Sequence, residues 1–237
     1  MTLGLRICSS LLCAASLSAA TVTGRVELRD SKEAAVRKKR DFSGVVIWLE
    51  PVSGKPPHSP PVRARMIQKD KTFSPHLLAV PTGAVVDFPN FDPFFHNVFS
   101  TYDGQSFDLA LYPPKTSKSV TFTKPGIVRV FCNIHSTMSA VIAVLDTPYF
   151  DVSKREGAFE LRDVPEGDYR LHLFHERATQ AMLDELGRRI AVDGEAIELA
   201  PIAISESGYL PIPHMNKFGR PYPPPPDDGS AYPGVRK

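Results

Sequence analysis

The sequence predicts an all-β protein built as two sandwiches with one short helix. Three observations point there. Apolar and polar residues alternate in short runs from Thr21 to about Ser205, the period of strands with one buried face. Gly and Pro, 15 and 23 of the 237 residues, separate those runs at close intervals, which favours β-sandwiches over βαβ units. The length also exceeds what one small sandwich needs.

The elements follow in order. Arg6 precedes an apolar run, Ile7 to about Leu17, and the small residues Ser18, Ala19 and Ala20. That is the layout of a secretory signal peptide over residues 1–20, cleaved after Ala20 and too short to span a membrane, so an exported, periplasmic protein is expected. Leu11 and Leu12 ahead of Cys13 do not suit lipid attachment, and no later stretch is apolar enough to cross a membrane. Strands are expected at Thr21–Arg29 and Val45–Glu50, with the basic stretch Lys32–Arg40 as the loop between them. Pro56, Pro57, Pro60 and Pro61 mark a stiff linker. Eight strands follow: Arg63–Gln68, His76–Val80, Ala84–Phe88, Asn97–Thr101, Ser106–Tyr112, Ser117–Thr123, Ile127–Cys132 and Ala140–Asp146. After them come strands at Ala158–Leu161, Tyr169–His175 and Ala196–Ile202. Thr179–Arg188 carries Met182, Leu183 and Leu186 on one helical face and Gly187 near its end, so it reads as the helix. Residues 206–237 form a Pro-rich tail, with eight prolines in Pro211–Lys237, expected to be extended and without a core of its own.

Composition excludes several classes. Hydrophobic residues at 42% and charged residues at 23% exclude bulk disorder, and a net charge of +2 excludes a strongly basic nucleic-acid binder. Of three cysteines, Cys8 and Cys13 fall in the expected leader. The mature chain then keeps Cys132 alone and can form no internal disulfide. A lone thiol in an exported protein is buried and inert, a nucleophile or a metal ligand.

Its surroundings favour the last. In Val128-Arg-Val-Phe-Cys-Asn-Ile-His-Ser-Thr-Met138, strand alternation turns Val128, Val130 and Cys132 to one face. His135 and Met138 follow at intervals of three, so a short loop can gather the three side chains. Thiolate, imidazole and thioether form a soft set suited to copper; zinc would use Cys and His but gain little from Met. A fourth ligand is expected from a neighbouring strand, and His96, in Phe88-Pro-Asn-Phe-Asp-Pro-Phe-Phe-His-Asn-Val98, is the best candidate. Two His, one Cys and a weak axial Met make the blue-copper set. A catalytic Cys132–His135 dyad is disfavoured, since no orienting group or oxyanion hole is suggested. Among the other histidines, His172 and His175 lie on opposite strand faces, His58 is in the Pro-rich loop, His214 is in the tail, and His76 reads as structural.

His96-Asn97-Val98 followed by Cys132-x2-His135-x2-Met138 resembles the cupredoxins, the plastocyanin and amicyanin group, over about Arg63–Asp146. The resemblance implies a Greek-key copper sandwich over residues 62–146 with one mononuclear type 1 site. It implies that Asn97 ties the first ligand's strand to the Cys loop. It further implies that His135 offers its ring edge as the electron port, ringed by Pro93, Phe94 and Phe95 for transient redox partners. Phe107-Asp-Leu-Ala-Leu-Tyr-Pro-Pro resembles bacterial methylamine-utilisation or plastocyanin-like proteins. Gly157–Leu171 resembles a strand–turn–strand of the carboxypeptidase regulatory-like (transthyretin-like) sandwich, whose first strands look like Thr21-Val-Thr-Gly-Arg-Val. Residues 21–61 plus 147–205 are therefore expected to form that sandwich around an inserted copper domain; two tandem domains is the alternative. The expected function is one-electron transport and not enzymatic catalysis. Copper storage or delivery, and a cell-envelope binding module with an auxiliary copper site, stay open beside it.

Overall fold

The computed structural model describes residues 19–60, 62–101, 104–211 and 213–223. The expected signal peptide lies outside them except for Ala19 and Ala20. The first segment holds β1 (Ala19–Arg29), α1 (Ala34–Lys39) and β2 (Val46–Pro51). The middle holds β3 (Arg63–Arg65), β4 (Ile67–Lys69), β5 (Thr72–Ser74), β6 (Leu77–Pro81), β7 (Val85–Pro89), β8 (His96–Ser100), β9 (Phe107–Tyr112), β10 (Ser117–Thr121), β11 (Gly126–Phe131) and β12 (Ser139–Leu145). The last holds β13 (Phe150–Val152), β14 (Ala158–Pro165), β15 (Gly167–Phe174), α2 (Gln180–Leu186), β16 (Arg188–Val192), β17 (Ile197–Glu198) and β18 (Ile202–Ser205). The molecule is thus nearly all β.

Strand pairing sorts these segments. β1 runs antiparallel to β14 and parallel to β17 and β18. β2 lies between β13 and β15, with β16 beyond β15. In the middle segment, β10-β7-β3 form one sheet and β6-β12-β11-β8-β9 another, with β4–β5 as a small hairpin. Gly157 shows how closely the outer segments meet. It sits at φ 79°, its carbonyl accepts from Val26 N–H at 2.9 Å, and a Cβ there would lie 2.0 Å from the Val26 oxygen. Only glycine fits.

The five-stranded sheet is the middle layer. In β12, Ala140, Ile142 and Val144 enter a core with Val86, Phe88, Val128, Val130 and Cys132. Val141, Ala143 and Leu145 enter a second core with Val22, Leu49, Leu161 and Leu171. A strand buried on both faces reads as a continuous apolar run, and Ala140-Val-Ile-Ala-Val-Leu145 is one.

Several elements differ from expectation. The basic stretch is not a plain loop: Ala34–Lys39 is a helical turn with Val36 buried beneath exposed cations. Arg63–Gln68 breaks at buried Met66, whose N–H crosses to the Asp87 carbonyl. Ala196–Ile202 splits into β17 and β18 around Pro201, which has no N–H for a ladder. The helix begins behind Thr179, whose hydroxyl accepts from Met182 N–H; it ends before Gly187, and Arg188 already belongs to β16. β1 starts at Ala19 with Ala20 opposite Val164, so cleavage after Ala20 would remove its first two positions.

Candidate metal centre

The candidate ligands come from the ends of two adjacent strands in the middle sheet. β8 pairs antiparallel with β11, Phe99 opposite Phe131. This brings His96, first in β8, beside Cys132, just past β11. Alternation carries Val128, Val130 and Cys132 into the core while Phe131 turns to the other face. The following loop closes on itself: Cys132 N–H donates to the Met138 carbonyl and Met138 N–H to the His135 carbonyl, both at 3.1 Å. The loop thereby folds His135 back over the thiol.

Cys132 Sγ lies 3.7 Å from His96 Nδ1 and 3.5 Å from His135 Nδ1, and the three form a compact His–Cys–His group. An ion about 2.3 Å from sulfur and about 2.0 Å from nitrogen, at an angle of about 110–120°, would separate S and N by about 3.5–3.7 Å. The spacing suits one small ion. Met138 is fully buried in the same core cluster as Cys132. His96 and Cys132 are also inaccessible, whereas His135 is half-buried and forms the edge of the site.

Hydrogen bonds prepare these groups. His96 Nε2 donates to Asp92 Oδ2 at 2.7 Å, which leaves the Nδ1 lone pair facing the thiol. Asp92 is fixed in turn by N–H donation from Asp70 (2.6 Å) and Lys71 (3.0 Å). Burial raises the Asp92 pKa, but the His96, Lys71 and Asp70 hydrogen bonds outweigh it and hold the carboxyl below its ordinary value. Burial pulls His96 down against the pull of Asp92. His135 is pulled to about 4 by burial and by the neighbouring His96 and Lys71. Burial pushes the Cys132 thiol up, opposed by the backbone groups of Asn97, Ile134 and His135 around the sulfur. Burial thus disfavours charge on both imidazoles and on the thiol, and a bound cation would favour the thiolate.

The expected surroundings are partly revised. Asn97 does not tie to the Cys loop through its side chain: Nδ2 donates to Asp108 on β9 at 2.7 Å, drawn by a charged acceptor. It meets Cys132 through its backbone. Pro93 and Phe95 are exposed, as a rim requires, but Phe94 turns inward, 5.2 Å from the His96 ring and 5.7 Å from the His135 ring. Ile134, next to His135 in the loop, is also exposed. His76 pairs with Glu176 at 2.8 Å, and His175 is buried against Glu206. His214, expected only as a residue of the extended tail, stacks on Phe131 with ring centroids 4.2 Å apart. Sequence reading missed Asp92. Its one signal was a carboxylate four residues before a candidate ligand, a spacing with no fixed meaning in a loop.

No family description and no curated protein matches the chain. Solved structures do. A Cu-containing nitrite reductase from Thermus scotoductus SA-01 aligns at 25% identity over 40% of this chain and 25% of its own, with a TM-score of 0.34; the chain thus spans a quarter of that enzyme. A purple cupredoxin from Nitrosopumilus maritimus aligns at 21% identity over 35% of this chain and 99% of its own, TM-score 0.32. An oxidised point mutant of amicyanin aligns at 17% identity over 41% of this chain and 99% of its own, TM-score 0.33. The arrangement of His96, Cys132 and His135, and not these overlaps, carries the functional reading.

Proposed function

We propose that the chain is a periplasmic mononuclear type 1 copper protein that carries single electrons between redox partners and is not an enzyme. One observation carries this: a buried thiol with two imidazole Nδ1 atoms at 3.5 and 3.7 Å and a buried methionine from the same loop. The soft thioether favours copper over zinc. Copper bound there supplies a one-electron Cu(II)/Cu(I) couple. The chain's own residues hold the geometry fixed: Asp92 sets the His96 tautomer, the sheet holds Cys132, and two main-chain hydrogen bonds hold the loop. Half-buried His135, with Phe94 5.7 Å from its ring and Pro93 and Phe95 exposed on either side of Phe94 in the chain, gives a small apolar face for partners that dock briefly, burying under about 1,200 Å². Residues 62–146 form the copper domain in this reading, inserted into a carboxypeptidase regulatory-like sandwich of residues 21–61 and 147–205, with residues 1–20 removed on export. Only one His/Cys/Asp/Glu group of metal-binding geometry occurs among the described residues, which favours a carrier over a storage protein.

Adding Cu(II) to the purified protein tests the proposal. An intense visible thiolate-to-copper band at one ion per chain is expected, absent in Cys132→Ser. Persistence of the band in that variant, or its absence in the parent, would refute the assignment.

A further inference from the structure

Residues 208–211 and 213–223 form neither helix nor strand, yet their polar atoms reach both sides of Cys132. The Tyr222 hydroxyl donates to the Cys132 carbonyl at 2.6 Å. His214 Nδ1 lies 3.2 Å from the same hydroxyl oxygen, and its ring is held between Phe131 and Tyr222. Lys217 N–H donates to Asn133 Oδ1, next in the loop, at 3.0 Å. Lys217 Nζ meets Asp108 at 2.7 Å, and Asp108 also accepts from the Asn97 side chain at 2.7 Å. Asn97 is the β8 residue whose backbone faces the Cys132 sulfur.

We infer that the C-terminal segment is a working part of the metal centre, with Tyr222 and Lys217 as positioning residues that hold Cys132 in its ligand orientation. What they position rests on the copper reading; that they clamp the loop does not. The Cys132 main chain has one donor and one acceptor. The donor is tied within the loop, to Met138, and the acceptor is tied to the tail. Releasing the carbonyl frees the residue that carries the sulfur to rotate, and releasing Lys217 loosens the Asp108–Asn97 contact on the other side. Tyr222 Oη–H is spent on the carbonyl, and His214 Nδ1 faces both the Tyr222 oxygen and the Met215 carbonyl at 3.2 Å, so its N–H is shared between them. A passive Pro-rich tail would have no reason to place its polar groups on these positions.

The test uses the exported chain, residues 21–237, in which Cys132 is the one thiol. In metal-free protein, the reaction of Cys132 with a soluble aromatic disulfide reports how often the loop opens. Loss of one neutral hydrogen bond should speed the reaction about fivefold in Tyr222→Phe, and the Tyr222→Phe/Lys217→Met pair should react faster still. Leu210→Ala, an exposed position on the same segment, should react like the parent. In Cu(II)-loaded protein, the thiolate band should shift in Tyr222→Phe and stay unmoved in Leu210→Ala. Equal thiol reactivity in all variants, or equal bands in copper-loaded parent and Tyr222→Phe, overturns the inference. Faster thiol reaction in a protein that takes up no copper would keep the clamp and refute only the metal assignment.

Discussion

Two histidines are buried against carboxylates in this molecule, and they do different work. His96 Nε2 meets Asp92 at 2.7 Å, with side chains 0% and 5% exposed; His175 Nε2 meets Glu206 at 3.1 Å, with side chains 2% and 4% exposed. By burial and partner they are nearly interchangeable. The second ring nitrogen separates them. His175 Nδ1 faces the Gly44 carbonyl at 3.3 Å, so both ring nitrogens are spent on the fold. Glu206 is likewise occupied by Arg177 and Ser31. His96 Nδ1 faces a thiol and, beyond it, another imidazole. A buried His–carboxylate pair is therefore not a site in itself; a lone pair left over and aimed at other soft donors makes one.

The sharpest way to break the comparison exchanges the two. In Cu(II)-titrated protein, His96→Gln should lose the intense thiolate band altogether. His175→Gln should keep the band at full intensity while its denaturation midpoint falls. A band that survives His96→Gln, or disappears in a folded His175→Gln protein, would mean that the second nitrogen does not distinguish the pair.

Glu206→Gln sharpens the structural side. Removing one charge from a buried ionic cluster should cost about 3 kcal/mol of unfolding free energy, read by chemical denaturation near neutral pH, with the copper band unchanged. The pH dependence follows from the shift. Burial raises Glu206, but Arg177, Ser31 and His175 outweigh it and hold its pKa below the ordinary 4.5. A carboxyl lowered in the folded state stabilises the protein above its unfolded value, and that contribution fades as pH falls through the folded value. The parent–variant gap should be full above about pH 5 and narrow below 4.5. A gap constant down to about pH 3 would show that Glu206 holds its partners without its charge.

The two regions were unequally legible in the sequence. The Cys132–His135–Met138 spacing is local, and so short a loop constrains where its side chains can go. β12 was legible because two-sided burial leaves no polar residue in the run. Asp92, Glu206 and Tyr222 were not. Each acts across a loop or a long stretch of chain, Tyr222 on a residue 90 positions away, and no periodicity records such a contact. The same holds for α1, where one buried residue, Val36, in a single short turn leaves no helical stripe to read. The strand expected to end at His175 ends one residue earlier, at Phe174, and that the partner of His175 would be Glu206, past the last strand, depended on how β18 follows β1.

The smallest expected effect tests Asp92 as the counterpart of Glu206. Asp92 Oδ2 accepts from His96 Nε2 and Lys71 N–H, and Oδ1 accepts from Asp70 N–H. All three partners are donors, so an Asn in its place keeps one acceptor oxygen and turns an NH2 group against at least one of them. If His96 keeps its bond, the loop at Asp70–Lys71 loosens; if the loop keeps its bonds, His96 loses the partner that fixes its tautomer. In either case Nδ1 is less well aimed, and the charge that strengthens the imidazole as a donor is gone. Asp92→Asn should therefore weaken copper binding about 10–100-fold, measured by competition with a chelator of known affinity, while the thiolate band persists at saturating metal. The corresponding Glu206→Gln protein should bind copper as the parent does. Equal affinity in Asp92→Asn would place Asp92 with Glu206, as a group that holds the fold and leaves the metal centre to its ligands.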